Sequence, residues 1–425
     1  MGELSETGRR ARRRIARRLI PFLFILYIVA YLDRVNVSFA TLEMSRALGF
    51  SDRVFGFGAG IFFIGYFILE IPGALIVERW SARRWIARIM ISWGIITVLM
   101  AFLQTKGQFY TARFLLGAAE AGFFPGIIVY LTHWFRYEDR AKAVAMFMSA
   151  IPISNVAGAP IAGLLMRIDW FGFEGWRWLF LLEGIPAVVL GVVALAFLTD
   201  RPEQAKWLPD DERKWIVDEL ERERHSKQAT SHYSVWQALA NRDVLLLAAV
   251  YFFGVTGHYG LSLWLPTILQ RVSGSTTLMV TILTMLPYGV GLGLMLWNGW
   301  HSDRSGERRW HAAIPLLIAA IALGLAAKYT SMGVSMALFS VASACLLAYL
   351  PCFWALPTIT LGQSAAAAAI GMINSVGNLG GFAGPFVMGY LRESTQSFAA
   401  GFIYLASGAA ISGVLVLLLR IHRKT

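Results

Sequence analysis

Asp33 and Arg34 stand side by side inside an apolar run from Leu19 to Leu42, and Arg113 and Glu120 stand seven apart inside another. An ion at the centre of a bilayer costs roughly 2.5 to 3.5 kcal/mol on insertion scales, so such residues face a protein-lined or water-filled path. Arginine keeps its charge at any physiological pH, whereas a carboxylate beside a changing partner can take up and release a proton. The four residues therefore have the chemistry to hold an anion and exchange protons, which is what a transport pathway for carboxylates requires. On a helix, Tyr27, Tyr31 and Arg34 fall on one face, and Asp33 points roughly 100° away toward a neighbouring helix. Arg113 and Glu120 share a face about 10 Å apart along the axis. If the first span runs outward and the fourth inward, Asp33 and Arg34 lie between Arg113 and Glu120 in depth, so the four can form one cluster.

The elements that must carry these charges follow from composition. Of 425 residues, 57% are hydrophobic and 15% charged, against about 25% charged in a soluble domain. Windows of about 20 residues place spans at 19–42, 54–77, 85–104, 109–134, 141–165 and 176–198, then at 243–270, 277–300, 311–327, 332–357, 364–391 and 397–419. Runs of this length are helices, since barrel strands are about 10 residues of alternating polarity. The expected fold is an all-α integral membrane protein of twelve transmembrane helices in two six-helix halves, 1–198 and 243–425. A linker, 199–242, joins them, with a surface helix opened by Pro209, Asp210, Asp211 and Glu212 and ending near Arg222 and Arg224. The arginine-rich stretch before Leu19 resembles a signal peptide, but the apolar run is too long and carries Asp33 and Arg34, so it is read as a retained first span. Cys345 and Cys352 lie about 10 Å apart on one helix and predict no disulfide.

Loop charges set the expected orientation. The N-terminus, Arg79/Arg83/Arg84, Arg136/Arg140/Lys142, the linker, Arg304/Arg308/Arg309 and Arg420/Arg423/Lys424 fall on one side. The other side holds only Arg46, Arg53, Lys106, Arg167, Arg271, Lys328 and Arg392. Both termini are thus expected in the cytoplasm. Topology accounts for the net charge of +12, and nucleic-acid binding is not expected.

Two loops repeat. Glu78-Arg79-Trp80-Ser81-Ala82-Arg83-Arg84 follows span 2, and Asp303-Arg304-Ser305-Gly306-Glu307-Arg308-Arg309 follows span 8. Positive-inside loops need the arginines but not the acid at the same place, so Glu78, Arg79, Arg83, Asp303 and Arg304 are read as parts of an inward-side gate between two rocking repeats. Capping of short loops is the structural alternative.

These loops resemble the signature loop of the major facilitator superfamily. Tyr31-Leu-Asp33-Arg34-Val-Asn36, the run from Arg113 through Glu120 to Gly126, Gly175-Trp-Arg-Trp-Leu-Phe-Leu-Leu-Glu183-Gly184, and Asn374-Ser-Val-Gly377-Asn378 through Pro385 resemble its anion:cation symporter family. Glu78-Arg79 and Gly306-Glu307-Arg308-Arg309-Trp310-His311 look most like that family's bacterial tartrate-transporter branch. The resemblance spans the chain, with Ala74 and Ser81 standing where the superfamily loop has glycines.

The resemblance implies that Asp33 and Glu120 are proton sites and that Arg34 meets the substrate carboxylate. It adds Trp354 and Asn374 as sugar-acid contacts. Tyr31, Tyr66 and Arg113 join the substrate set on the residues themselves, Arg113 as a second cation addressing the cavity, and the tyrosine hydroxyls, like the Trp354 indole and the Asn374 amide, as groups that suit a polyhydroxy acid. Packing is the structural alternative for each aromatic. Asn378 suits an interhelical bond, His258 a packed histidine, and Glu183 a structural pair with Arg177. The sequence shows no Walker loop, metal-ligand cluster or nucleophile arrangement, so no enzyme activity, metal or cofactor is expected beyond protons as coupling ion. The expected function is import of a small organic anion, a hydroxy-dicarboxylate such as tartrate or a sugar acid, by proton symport through a monomer in the bacterial inner membrane. Anion exchange or export is the alternative within transport, and a non-transporting membrane sensor the alternative outside it.

Overall fold

The structure, a computed structural model, describes residues 5–79, 81–227, 241–361 and 363–419, apart from the side chains at 71, 74, 75, 77–79, 141, 152, 224–227, 358–361 and 363–368. Among the described residues all regular structure is helical. The first half contains α1 (Glu6–Leu48), α2 (Asp52–Arg79), α3 (Ala82–Met100), α4 (Lys106–Glu120), α5 (Phe123–Thr132), α6 (Tyr137–Met148), α7 (Ala150–Leu165) and α8 (Gly175–Phe197). The linker helix is α9 (Asp210–Lys227). The second half contains α10 (Arg242–Ser273), α11 (Thr277–Ser305), α12 (Arg309–Ala326), α13 (Met332–Leu361), α14 (Gln363–Thr395) and α15 (Ala399–Leu417).

Polar residues at the helix ends explain where several helices start. Ser5 accepts from the Gly8 N–H, Asn241 from the Asp243 N–H, and Thr105 forms a reciprocal capping box with Gln108, which satisfies donors that a helix start leaves open. Ten of the twelve spans are long and apolar enough to cross a membrane by themselves. The other two are α3, which opens with Arg83, Arg84 and Arg88, and α14, rich in glycine, serine and asparagine.

Two spans differ from the single rods expected. Span 4 breaks into α4 and α5 immediately after Glu120, where Ala121 is extended and Gly122 has φ +84°. Gly122 also packs against Gly73, so that a Cβ here would lie 3.2 Å from the Gly73 Cα. The sequence shows this glycine only as one of several small residues, indistinguishable from a close-packing position. Span 5 divides at Ser149 into α6 and α7.

Helix pairing repeats with an offset of six spans. In the first half, spans 1 and 5, 1 and 6, 2 and 4, 3 and 4, and 3 and 6 pack together. Spans 7 and 11, 7 and 12, 8 and 10, 9 and 10, and 9 and 12 do the same in the second. Across the halves, span 2 meets 11 and span 8 meets 5, two pairs that the offset exchanges, while span 1 meets 7. This is the pattern of two parallel repeats related by a pseudo-twofold axis.

Candidate functional site

Arg34 is the centre of the site. Its position on α1, one turn beyond Tyr31, turns it toward span 4 and span 7. There it donates to the carboxylate of Glu120 in a direct ion pair, and to the Tyr259 hydroxyl of α10 at 3.4 Å. Three rings surround the guanidinium carbon, Tyr66 at 5.4 Å, Phe62 at 5.7 Å and Tyr31 at 5.9 Å. Its side chain is 14% exposed and that of Glu120 4%. The carboxylate sits at the last residue of α4, so the helix break places it where the backbone leaves helical geometry.

Asp33 turns away from this cluster, as the helical spacing predicts. It accepts from the Thr97 hydroxyl of α3 at 2.7 Å and from the Asn36 amide at 2.9 Å, with no ion pair among the described residues. Arg113 is buried without an ion pair among those residues. It donates to the carbonyls of Gly58 and Ala59 at 3.4 and 3.5 Å, lies 4.8 Å from the Phe62 ring, and leaves its Nη1 without a hydrogen-bond partner. Arg34, paired with Glu120, and Arg113 therefore flank Phe62 while Asp33 turns to Thr97, and the four charges do not form one ion-paired cluster. One direct pair, Arg34 with Glu120, stands between two singly placed groups.

The second half contributes through Tyr259 and, nearer the terminus-bearing face, through Asn374 and Ser375 of α14. Both donate to Glu70 of α2, Asn374 in a close contact and Ser375 at 3.0 Å. Glu70 is buried, so this is a hydrogen-bonded carboxyl spanning the two halves. Trp354 packs edge-on against Tyr251 at 4.9 Å and makes no contact with the Arg34 cluster among the described residues. Tyr66 lies between the two groups, over Arg34 and one turn before Glu70.

The loop residues form local contacts. Ser81 and the Arg83 N–H both bind Asp200 at the end of span 6, and Asp303 pairs with Arg308 of its own loop. Arg304 stacks near Trp300. The side chains of Glu78 and Arg79 fall outside the described ones. Ionic links between the halves occur instead on the opposite face. Asp52 of α2 accepts from Arg271 of α10 at 2.6 and 3.1 Å and lies 3.9 Å from Arg392 of α14, while Glu393 accepts the Arg53 N–H. Three of these arginines are among the few on the charge-poor side, a signal that the loop count alone passed over. Tyr259 was also missed, since an isolated tyrosine in span 7 carries no spacing cue.

Glu183 does not pair with Arg177. Six residues apart on a helix place the two about 120° apart around the axis, and Arg177 instead donates to the Ala101 carbonyl at 2.6 Å and approaches Glu174. Glu183 faces Asn36 of α1. His258 packs against Tyr259, with ring centres 5.0 Å apart. Both cysteines are free and buried.

Paired six-span repeats with buried charges where they meet define a multi-pass membrane transporter. Residues 23–385 match the Major Facilitator Superfamily, and the chain belongs to that family. A protein of Agrobacterium vitis named "Putative tartrate transporter" is 46% identical over 98% of this chain and 96% of its own length. A quinolone resistance transporter of Acinetobacter baumannii is 40% identical over 93% and 91%, and the inner membrane transport protein RhmT of Escherichia coli 36% identical over 96% and 94%. The xylose transporter XylE of E. coli, solved in a partially occluded inward-open form, superposes with a TM-score of 0.76 at 14% identity over 96% of this chain and all of that one.

Proposed function

We propose that the protein imports a small organic anion, a hydroxy-dicarboxylate such as tartrate or a related sugar acid, together with protons, across the bacterial inner membrane with both termini in the cytoplasm. The single observation that carries this reading is the Arg34–Glu120 pair. It is one cation held by one carboxylate, Glu120 buried and Arg34 largely so, with the Tyr259 hydroxyl and the rings of Tyr31 and Tyr66 alongside. A substrate carboxylate that takes Arg34 displaces Glu120. Leaving a buried charge unpaired costs several kcal/mol, so Glu120 takes a proton as the anion arrives, and the two cross together. Asp33, held only by Thr97 and Asn36, is a second site that can exchange protons without breaking an ion pair. Tartrate enters from the A. vitis relatives at 46 and 47% identity and from the hydroxyl and amide donors around Arg34 and Glu70, which suit hydroxylated acids.

The test is uptake of labelled organic acids into proteoliposomes carrying wild type or Asp33→Asn, with and without an inward proton gradient. Gradient-driven accumulation that Asp33→Asn abolishes while counterflow survives is the expected result. Equal uptake without a gradient, unchanged by Asp33→Asn, overturns the coupling and leaves anion exchange or export. Export is the second reading, supported by the quinolone resistance relative. It predicts accumulation of the acid inside inside-out vesicles, driven by an acidic lumen.

A further inference from the structure

The first helix does not begin where the membrane does. Its 43 residues extend about 65 Å, against a hydrocarbon core of about 30 Å, and the thirteen residues before Leu19 carry seven arginines. A positive-inside bias would account for the charges but not for their arrangement. Ala11 and Ile15 are buried, and Gly8 lies against the ring of Trp215 on α9. That face docks the extension on the linker helix.

Three of these arginines pair with acids on that side. Arg14 binds Glu212 at 2.9 Å, Arg10 binds Asp211 at 3.1 Å, and Arg12 pairs with Asp139. Arg13, Arg17 and Arg18 have no ion-pair partner among the described residues. Arg18 lies between the rings of Phe197, at 4.5 Å, and Trp207, at 4.8 Å, with its Nε buried and without a hydrogen-bond partner.

Residues 10, 13, 14, 17 and 18 follow the i, i+3, i+4, i+7, i+8 spacing of one helix face. Together with Trp207 they line a cavity of about 610 Å³ with no carboxylate in its wall. From Arg18, beside the first apolar turn, to Arg13 is about 7.5 Å along the axis. This matches the headgroup layer, which adds about 5 to 8 Å to each side of the hydrocarbon. Guanidinium groups bind phosphate in forked, charge-assisted pairs, and the Trp207 ring, its N–H donated to Thr199, supplies an apolar wall.

We propose that this cleft is a phosphate-binding site occupied by the headgroup of an anionic phospholipid from the leaflet at the terminus-bearing face, with Arg13, Arg17 and Arg18 as its ligands. The bound lipid fastens α1, which bears Arg34, to the linker between the halves. The proposal is independent of the transported substrate.

Native mass spectrometry of the purified transporter titrated with phosphatidylglycerol or phosphatidylcholine tests it. Arg13 and Arg17 are exposed, so Arg13→Gln/Arg17→Gln leaves the packing of α1 on α9 intact. Arg9→Gln/Arg84→Gln removes the same charge at exposed positions on the same face, outside the cleft. Wild type is expected to retain phosphatidylglycerol over phosphatidylcholine. The cleft variant is expected to lose on the order of 30-fold in that affinity, at about fivefold per basic residue near a membrane surface, and the control variant to keep it. An equal loss in the control reduces the feature to bulk charge and overturns the site. Inorganic phosphate that binds the cleft while wild type shows no headgroup preference assigns a soluble ligand and overturns the lipid. Unchanged retention in the cleft variant overturns the ligand set.

Discussion

Replacing Glu120 by glutamine tests whether substrate and protein compete for one cation. The substitution keeps side-chain shape and removes the charge that holds Arg34. Breaking a buried ion pair costs about 3 to 5 kcal/mol, but Arg34 is 14% exposed and retains the Tyr259 hydroxyl, and the glutamine carbonyl still accepts a hydrogen bond. We therefore take less than half of that range, about 1.4 kcal/mol, as the competition that an incoming anion must overcome. Removing it tightens anion binding about tenfold. Titration calorimetry at pH 8 on purified protein, with the best acid from the uptake panel, reads this directly. The pH dependence has a fixed sign. Protonating Glu120 frees Arg34, so wild-type affinity rises as pH falls, whereas Glu120→Gln starts at the tight value and loses that part of the dependence. Uptake by the variant falls to the counterflow level. Unchanged or weaker binding in Glu120→Gln, or a wild-type affinity that falls on acidification, would refute the competition.

Other perturbations probe the surroundings of the site. Asp52→Asn removes the acceptor shared by Arg271 and Arg392; with Arg271 39% exposed, the loss is at most about 1 kcal/mol, so the opposite face opens up to fivefold more often. Maleimide labelling of Thr41→Cys in a Cys345→Ser/Cys352→Ser background measures it, and an unchanged rate would remove the cluster from gating. Gly122→Ala forces a side chain into a left-handed conformation at a cost of roughly 1 to 2 kcal/mol and presses on Gly73, so the melting temperature falls and transport falls with it; a variant with wild-type stability would show that the break is tolerant. Asn374→Ala leaves Glu70 with Ser375 and Asn378 as its donors from the other half and lowers stability by about 1 to 3 kcal/mol, a loss that denaturation in detergent would register.

Much of the frame was legible because bilayer thickness makes each span declare itself in hydropathy, and because the two acid-arginine loops mark the repeat. The facing of Arg34 and Glu120 followed from depth counting along two antiparallel helices, and the outward turn of Asp33 from a single helical step. Other features depend on contacts that sequence distance hides. Asp52 and Arg271 are 219 residues apart, and Glu70 and Asn374, 304 apart, gave no sign of being partners. The break after Glu120 was illegible because Gly122 looks like any small residue in a crowded span. Arg177 and Glu183 misled because proximity along the chain suggested a pair that helix geometry separates.

The seam between α2 and α14 has little side-chain padding toward the face opposite the termini. Gly56 meets the Pro385 carbonyl and the Gly389 Cα so closely that a Cβ there would lie 2.5 and 3.1 Å from them. At these glycines backbone parts from backbone and no rotamer has to find its place, while Phe57 re-seats edge-on against Phe382 and Phe386. The hinge line is thus mechanically quiet, and its latching is concentrated in the few ions at its end. Ionic strength on that side of the membrane then becomes a throttle on turnover: dilute medium holds the seam shut, and salt frees it without touching the substrate site.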